Sequence, residues 1–226
     1  ETTGRLHPPQ TELDELVLRI HKSGKQVAIH AIEETAIESA CSAIENALKH
    51  IPRTDHRHRI EHCSVCPPSL SKRIATLGIR VVTQPPFLYC NGDRYLETVE
   101  NDQLRYLYPF RSLLRTGVRV VGSSDGPFAP TNPLIGLCAA MTRKSDTGKR
   151  VTQKEALPAI DALRMYTKYA AEATFEEGIM GSITPGKLAD LVILSGDPLK
   201  SPPDEVKDLQ VEMTIINGEV VWDKGN

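Results

Sequence analysis

Short runs of β-branched and apolar residues alternate with longer helical patterns four times in the first half of this chain. The runs are predicted strands at residues 26–30, 59–62, 79–84 and 118–122. Helices are predicted around residues 13–22, 33–50, 68–77, 101–115, 133–143 and 153–171. Short strands separated by helices of this length favour right-handed βαβ crossovers, so the alternation predicts an α/β fold with a parallel sheet.

The pattern changes after Gly178. Two strand-like segments follow, at residues 189–194 and 212–222, and Asn217-Gly218 inside the second is a strong hairpin turn. The sequence therefore predicts two domains, a parallel α/β segment over residues 1–177 and a small all-β segment over residues 178–226.

Composition excludes several classes of protein. Lys and Arg number 27 against 29 Asp and Glu, so no basic surface for nucleic acid or an anionic membrane is expected. No apolar run is long enough to span a bilayer, and the first ten residues lack the pattern of a signal peptide. Five cysteines are an odd and sparse set, which favours a reducing, cytoplasmic location. The first residue is not Met, so we expect the chain to begin inside a longer protein.

Polar residues stand at the ends of the predicted strands. His30 closes the first strand, His62 the second and Gln84 the third, and Asp125 follows the fourth. The carboxyl ends of parallel barrel strands share one face, so these side chains are expected to converge. Two imidazoles and a carboxylate suit Zn²⁺ or a similar divalent ion, and the carboxylate can also accept a proton from water.

Seven segments carry a family resemblance, and they occur in one order along nearly the whole chain. They are VAIHAI (27–32), RIEH (59–62), QPPF (84–87), YPFRSL (108–113), GSSDGP (122–127), GSITPGKLADL (181–191) and MTIING (213–218). The chain thereby resembles the YtcJ-like amidohydrolases, the family 3 branch of the metal-dependent amidohydrolase superfamily.

The resemblance implies a fold and a site. The fold would be the C-terminal half of a TIM (β/α)₈ barrel, strands 5–8 with their helices, followed by the C-terminal strands of a small β-sandwich. His30 would be the metal ligand of strand 5, His62 that of strand 6, and Asp125 the aspartate of strand 8. The implied cofactor is a divalent metal, with zinc the first choice. Two departures stand out: Glu33 and Glu34 replace the family's Gly-Asp, and the family's other ligands, on strands 1 and 4, would lie upstream of this segment.

The implied reaction is hydrolysis of a carbon–nitrogen bond, other than a peptide bond, in a small amide. Asp125 would accept a proton from water and pass it to the leaving nitrogen, while the metal or His62 polarises the carbonyl oxygen. Gln84, Arg111 and Ser124 are candidates for substrate contacts, with packing or surface roles as the alternative. Without the upstream ligands, we expect weak or absent metal binding in this polypeptide. The alternative function is therefore an inactive fragment, or a regulatory or binding protein, that retains the amidohydrolase fold.

Three further expectations concern smaller features. Cys63 and Cys66 form a single C-x-x-C pair that could serve redox chemistry or zinc, with local packing as the favoured role. His50, His56 and His58 lie in a polar stretch around Pro52 and are predicted to be solvated. The open edges of a half-barrel favour pairing with another copy, so self-association, most simply as a homodimer, is expected.

Overall fold

A computed structural model describes residues 6–225 and divides the chain into two compact units. The first unit runs up to Thr83 and adds Glu100–Val120; the second comprises Gln84–Val99 and the chain from Val121 onward. The helices are α1 (Gln10–Lys22), α2 (Glu34–His50), α3 (Pro68–Thr76), α4 (Pro85–Thr98), α5 (Asn101–Leu104), α6 (Phe110–Arg115), α7 (Pro133–Thr142), α8 (Ala159–Tyr166) and α9 (Lys168–Ala173). The strands are β1 (Ala28–Ala31), β2 (Arg59–His62), β3 (Arg80–Thr83), β4 (Val120–Gly122), β5 (Leu191–Leu194), β6 (Val211–Ile216) and β7 (Glu219–Asp223).

The predicted α/β arrangement with a parallel sheet is confirmed. Strands β1 to β4 form one sheet in chain order, and β1 pairs parallel with β2, and β2 with β3. The backbone N–H of Val81 in β3 donates to the carbonyl of Arg119, directly before β4. The register aligns His30 with Glu61 and Ala31 with His62, which brings the ends of β1 and β2 side by side.

The core of the first unit rests on α2. Its apolar stripe, predicted from the helical spacing, is buried against α1 and β1, and Ile37, Ala40, Ile44 and Ala47 have no exposed side-chain surface. Arg73 of α3 ties that helix to α2, because its guanidinium bonds to Glu38, Glu45 and the hydroxyl of Ser42. The packing of α2 against β1 supports the strand ends where the polar residues lie.

The second unit contains the predicted all-β segment. Strands β5, β6 and β7 form an antiparallel sheet in that order. The hairpin between β6 and β7 turns at Asn217 and Gly218, whose φ values of 52° and 84° match the type I′ turn that this dipeptide predicts. Helix α7 is buried around its whole circumference, Leu137, Ala139 and Ala140 included, and it packs on α4 and α8.

Prolines account for the main departures from the predicted elements. The helix expected at residues 101–115 is broken into α5 and α6, because Pro109 directly precedes α6 and Tyr108 has a left-handed φ of 47°. The helix expected from residue 153 begins only at Ala159, after Pro158. Helix α4 was not predicted; Pro85 and Pro86 occupy its first turn, where a missing N–H is harmless.

The prediction that His56 and His58 are solvated is wrong. Both are buried, and they lie just before β2 in a cluster with His21. His58 Nδ1 accepts from the Val27 N–H at 3.1 Å, and its Nε2 lies 2.9 Å from His21 Nδ1. His56 accepts from the His58 N–H and contacts the Leu77 carbonyl. Hydrogen bonds to these backbone groups hold the two rings in place. His50 is exposed, as predicted. Within residues 6–225, no helix is long and apolar enough to cross a membrane.

Candidate functional site

Two of the predicted ligands meet in the first unit. His30 lies in β1 and His62 ends β2, and their ring centroids are 4.5 Å apart with an interplanar angle of 71°. His30 is exposed, whereas His62 retains 8% of its surface. One imidazole is thus buried while the other faces solvent, and the two rings lie edge to face.

The backbone at the end of β2 makes this meeting possible. His30 is aligned with Glu61, so alternation in a regular strand would place the His30 and His62 side chains on opposite faces. His62 leaves the extended conformation, with φ of 73°, and Cys63 follows with φ of 51°. The Cys63 N–H donates to the Ala31 carbonyl at 2.9 Å, which fixes this left-handed turn to the end of β1. The sequence predicted two histidines at strand ends, but not the turn that brings their rings together.

Asp125 lies in the second unit, three residues after β4 ends. Its φ is 51°, its N–H donates to Ser123 Oγ at 3.2 Å, and its carbonyl accepts from the Phe128 N–H at 3.0 Å. Those bonds make a tight turn through Gly126, as is common for the Asp-Gly dipeptide. These two hydrogen bonds involve backbone groups and the Ser123 hydroxyl. The Asp125 carboxylate takes part in neither of them. The convergence of Asp125 with the histidine pair stays a prediction.

The three proposed substrate contacts are not alike. Gln84, in the second unit, is 98% buried at the N-terminus of α4, which suits a packing role. Arg111 is exposed on α6 of the first unit. Ser124 is half-buried in the second unit and lines a cavity. Of the three, Ser124 has the surroundings expected of a residue that touches a ligand.

That cavity has a volume of about 360 Å³ and opens where β4 ends, and we call it the β4 cavity. Its lining includes Gly122, Ser123, Ser124, Thr131, Asn132 and Tyr166. Asn132 also caps α7, because its side chain accepts from the Leu134 N–H at 3.0 Å. Sequence reasoning missed Thr131, Asn132 and Tyr166. Asn132-Pro133 is a recognisable helix start that could have marked the lip of this cavity.

Cys63 and Cys66, which follow β2, are reduced and buried. Hydrogen bonding from Cys63 lowers the pKa of Cys66, and the same bond, together with burial, raises the pKa of Cys63 well above its usual range. Cys66 Sγ also lies 3.5 Å from Ser71 Oγ. Within residues 6–225, neither unit brings together three or more His, Cys, Asp or Glu side chains as a metal-ligand group. The packing role favoured for this pair fits these contacts.

Comparisons with known proteins agree with the fold. The sequence matches the amidohydrolase family over residues 2–222. It is 31% identical over 223 residues to a putative amidohydrolase, YtcJ, of Bacillus subtilis, covering 97% of this chain and 41% of that protein. It is 32% identical over 216 residues to an N-substituted formamide deformylase of Arthrobacter pascens, covering 95% of this chain and 40% of that protein.

Similarity extends to solved structures. The crystal structure of an uncharacterized metal-dependent hydrolase from Pyrococcus horikoshii superposes with a TM-score of 0.78 at 28% identity, covering 90% of this chain and 40% of that one. The chain therefore spans about two fifths of the length of each of these three proteins. The family match covers almost every residue, and the matched segment contains the histidine pair, Asp125 and the β4 cavity. This chain belongs to the amidohydrolase family.

Proposed function

We propose that the protein containing this chain hydrolyses a carbon–nitrogen bond, other than a peptide bond, in a small amide. The observation that carries the proposal is the pairing of His30 and His62 at the ends of adjacent parallel strands, in a chain of the amidohydrolase family. Relatives named as a putative amidohydrolase and as an N-substituted formamide deformylase support the same bond class. A secondary formamide is the simplest substrate class to test first.

The donor set fits a divalent metal ion. His30 and His62 present imidazoles, and the carboxylate of Asp125 would complete a set of two nitrogens and one oxygen, which suits zinc. A divalent ion bound there would supply Lewis-acid activation of water and of the amide carbonyl. The similarity to a metal-dependent hydrolase of Pyrococcus horikoshii supports this cofactor.

The chain's own residues account for the proton transfers. Asp125 accepts a proton from the attacking water and later delivers it to the leaving nitrogen, so the products are a carboxylic acid and an amine. His62, held by its buried ring and the turn that ends β2, serves as a metal ligand or, in place of that role, polarises the carbonyl oxygen. Its fixed orientation matters, because a catalytic group that is already positioned loses little freedom on reaching the transition state.

We propose that the sheet β1–β4 is half of a (β/α)₈ barrel and that β5–β7 belong to a β-sandwich. The sequential order of β1–β4 supports the first, since barrel strands follow one another in chain order. The relatives' greater length supports the presence of more strands in the whole protein.

The test uses the full-length product of the gene and, beside it, the 226-residue chain. Metal content is measured by mass spectrometry, and amine release is followed with N-propylformamide. We expect stoichiometric metal and turnover in the full-length protein, and weak or no metal in the shorter chain. Asp125→Asn should retain the fold and lower kcat by about 10²–10⁴-fold, because it removes the proton acceptor. Asp161→Asn, a surface carboxylate paired with Arg164, is the matched control and should change kcat little.

One observation favours a second candidate, a protein that keeps the fold for binding or regulation. Within the described residues, neither unit alone assembles a three-ligand group. A full-length protein that holds no metal and releases no amine would favour this candidate. Near-normal turnover in Asp125→Asn would remove the proposed role of that residue.

A further inference from the structure

The β4 cavity lies beside Asp125, the proposed proton acceptor, because two of its lining residues are joined to Asp125 by the chain or by a hydrogen bond. Ser123 and Ser124 line it, and Asp125 follows directly, with its N–H donating to Ser123 Oγ at 3.2 Å. A carbon atom added to Gly126 as a Cβ would lie 3.1 Å from Thr131 Cγ2 and 3.5 Å from Ser124 Oγ. The glycine therefore keeps open a space between two residues of the lining.

The lining is uncharged and mixes polar groups with apolar ones, the latter including three prolines. All of its residues are among those the structure describes, and none is Asp, Glu, Lys, Arg or His. Hydroxyl groups come from Ser123, Ser124 and Thr131, and Asn132 adds an amide whose oxygen is already used by the Leu134 N–H. Such a lining can hydrogen-bond a neutral ligand, whereas it offers no counter-charge to a carboxylate or ammonium group.

One wall of the cavity is rigid. A Cβ on Gly122 would lie 2.5 Å from the Tyr166 ring, so the ring packs directly over the backbone at the end of β4. Burial raises the pKa of the Tyr166 phenol, which keeps this wall uncharged as well. With about 360 Å³, the cavity has room for roughly a dozen water-sized volumes, which is more than a short substituent needs.

We propose that the β4 cavity binds the uncharged substituent on the amide nitrogen of the substrate, and that it selects against substrates with a carboxylate there. The inference rests on the proposed amide hydrolysis and deepens it, because it defines the chemical class of the group beside the bond that is cleaved. Thr131 is a specificity residue in this arrangement, since its side chain lies at the exposed side of the cavity.

The experiment compares two probes of matched length, N-propylformamide and N-formyl-β-alanine, with the full-length protein. The ratio of their kcat/KM values should favour the neutral probe by about tenfold or more, since the lining offers no cation to a carboxylate. Thr131→Arg places a guanidinium in the lining, and it should shift this ratio toward the carboxylate probe by about tenfold. Thr184→Arg is the matched control, because Thr184 is equally exposed but does not line this cavity.

The outcomes separate the two proposals. Equal kcat/KM values for the two probes, or equal shifts in Thr131→Arg and Thr184→Arg, would overturn the cavity assignment while leaving amide hydrolysis intact. If neither probe is hydrolysed, the proposed function fails, and the dissociation constants of both probes from ligand-observed NMR still decide on the cavity. Tighter binding of the neutral probe, with a preference that Thr131→Arg shifts and Thr184→Arg does not, would support the cavity assignment. Binding of neither probe would overturn both proposals.

Discussion

Single histidines in this chain differ by the groups that surround their rings. His30 and His62 point their rings at each other at strand ends, whereas His58 is enclosed by His21, His56 and Arg53. Sequence patterns separate these classes poorly, because a buried imidazole needs specific backbone partners from distant segments. The His21 Nε2 contact with the Ile51 carbonyl, 30 residues away, is such a partner. The positions of His30 and His62 at strand ends could be predicted because short apolar strands are recognisable locally, whereas the turn that brings the two rings together could not.

The pH dependence of folding should report on His58. Burial lowers its pKa to about 3, with His56, His21 and Arg53 acting in the same direction, and burial also lowers the pKa of His56. A histidine whose pKa is lower in the folded than in the unfolded state contributes stability above the unfolded pKa of about 6.5. This contribution is lost as pH falls toward the folded pKa of about 3. For His58 alone, the free energy of unfolding should fall by roughly 2 kcal/mol between pH 6.5 and pH 5.

Urea unfolding at several pH values measures this slope. His58→Gln should flatten it, while His50→Gln, which changes an exposed histidine, should leave it unaltered. An identical slope in wild type and His58→Gln would assign the pH dependence to other groups.

Tyr166 offers a second prediction at this scale. Its hydroxyl is buried and has no hydrogen-bond partner within the described residues. An unsatisfied buried hydroxyl costs about 1–3 kcal/mol, so Tyr166→Phe should leave the free energy of unfolding unchanged or raise it by about 1 kcal/mol. Tyr89→Phe, on half-buried Tyr89, is the control for losing a tyrosine hydroxyl. A loss of stability in Tyr166→Phe alone would show that the hydroxyl has a partner, such as bound water.

Secondary-structure elements were the most predictable level. The parallel strands, α2 and the hairpin at Asn217 follow from periodicity and turn chemistry, which depend on neighbouring residues. Helix α4 and the broken helix at Pro109 were not predicted, since a proline can either start a helix or end one, and tertiary packing decides between them. The cavity beside Ser124 was likewise not predictable, because its walls come from segments distant in the chain.

Contact between α7 and α8 depends on a glycine. A Cβ at Gly136 would lie 1.9 Å from the Tyr166 hydroxyl oxygen and 2.7 Å from Cζ of the same ring. Alanine normally favours a helix interior over glycine by about 0.5–1 kcal/mol, but overpacking costs about 1–3 kcal/mol. Gly136→Ala should therefore lower the free energy of unfolding by about 1–2 kcal/mol, measured by thermal or urea unfolding.

A double-mutant cycle isolates that contact. Tyr166→Phe removes the closest atom and should restore part of the stability lost in Gly136→Ala. Gly178→Ala, at a position with no atom within 4 Å of the added carbon, is the control. Additive effects of Gly136→Ala and Tyr166→Phe would mean that the two residues do not constrain each other.

At the scale of the whole molecule, we expect the 226-residue chain to self-associate. The sheet β5–β7 exposes apolar side chains on both faces, because the adjacent residues Val192 and Ile193 are 53% and 47% exposed and alternate in direction. Val221 and Trp222 are exposed to a similar degree on β7, the strand at the opposite edge of this sheet. Exposed apolar area on a short sheet with open edges usually indicates association, and a closed two-fold pair is the simplest assembly.

Sedimentation velocity at micromolar concentration measures this association. We expect a dimer or a concentration-dependent mixture for the wild-type chain. Val192→Lys should shift it toward monomer, because a lysine on an edge strand opposes pairing with a second strand. Leu199→Lys introduces the same charge at an apolar residue of similar exposure outside the sheet, and it should leave the distribution unchanged. If the wild-type chain sediments as a single monomeric species across this range, these exposed faces do not mediate self-association.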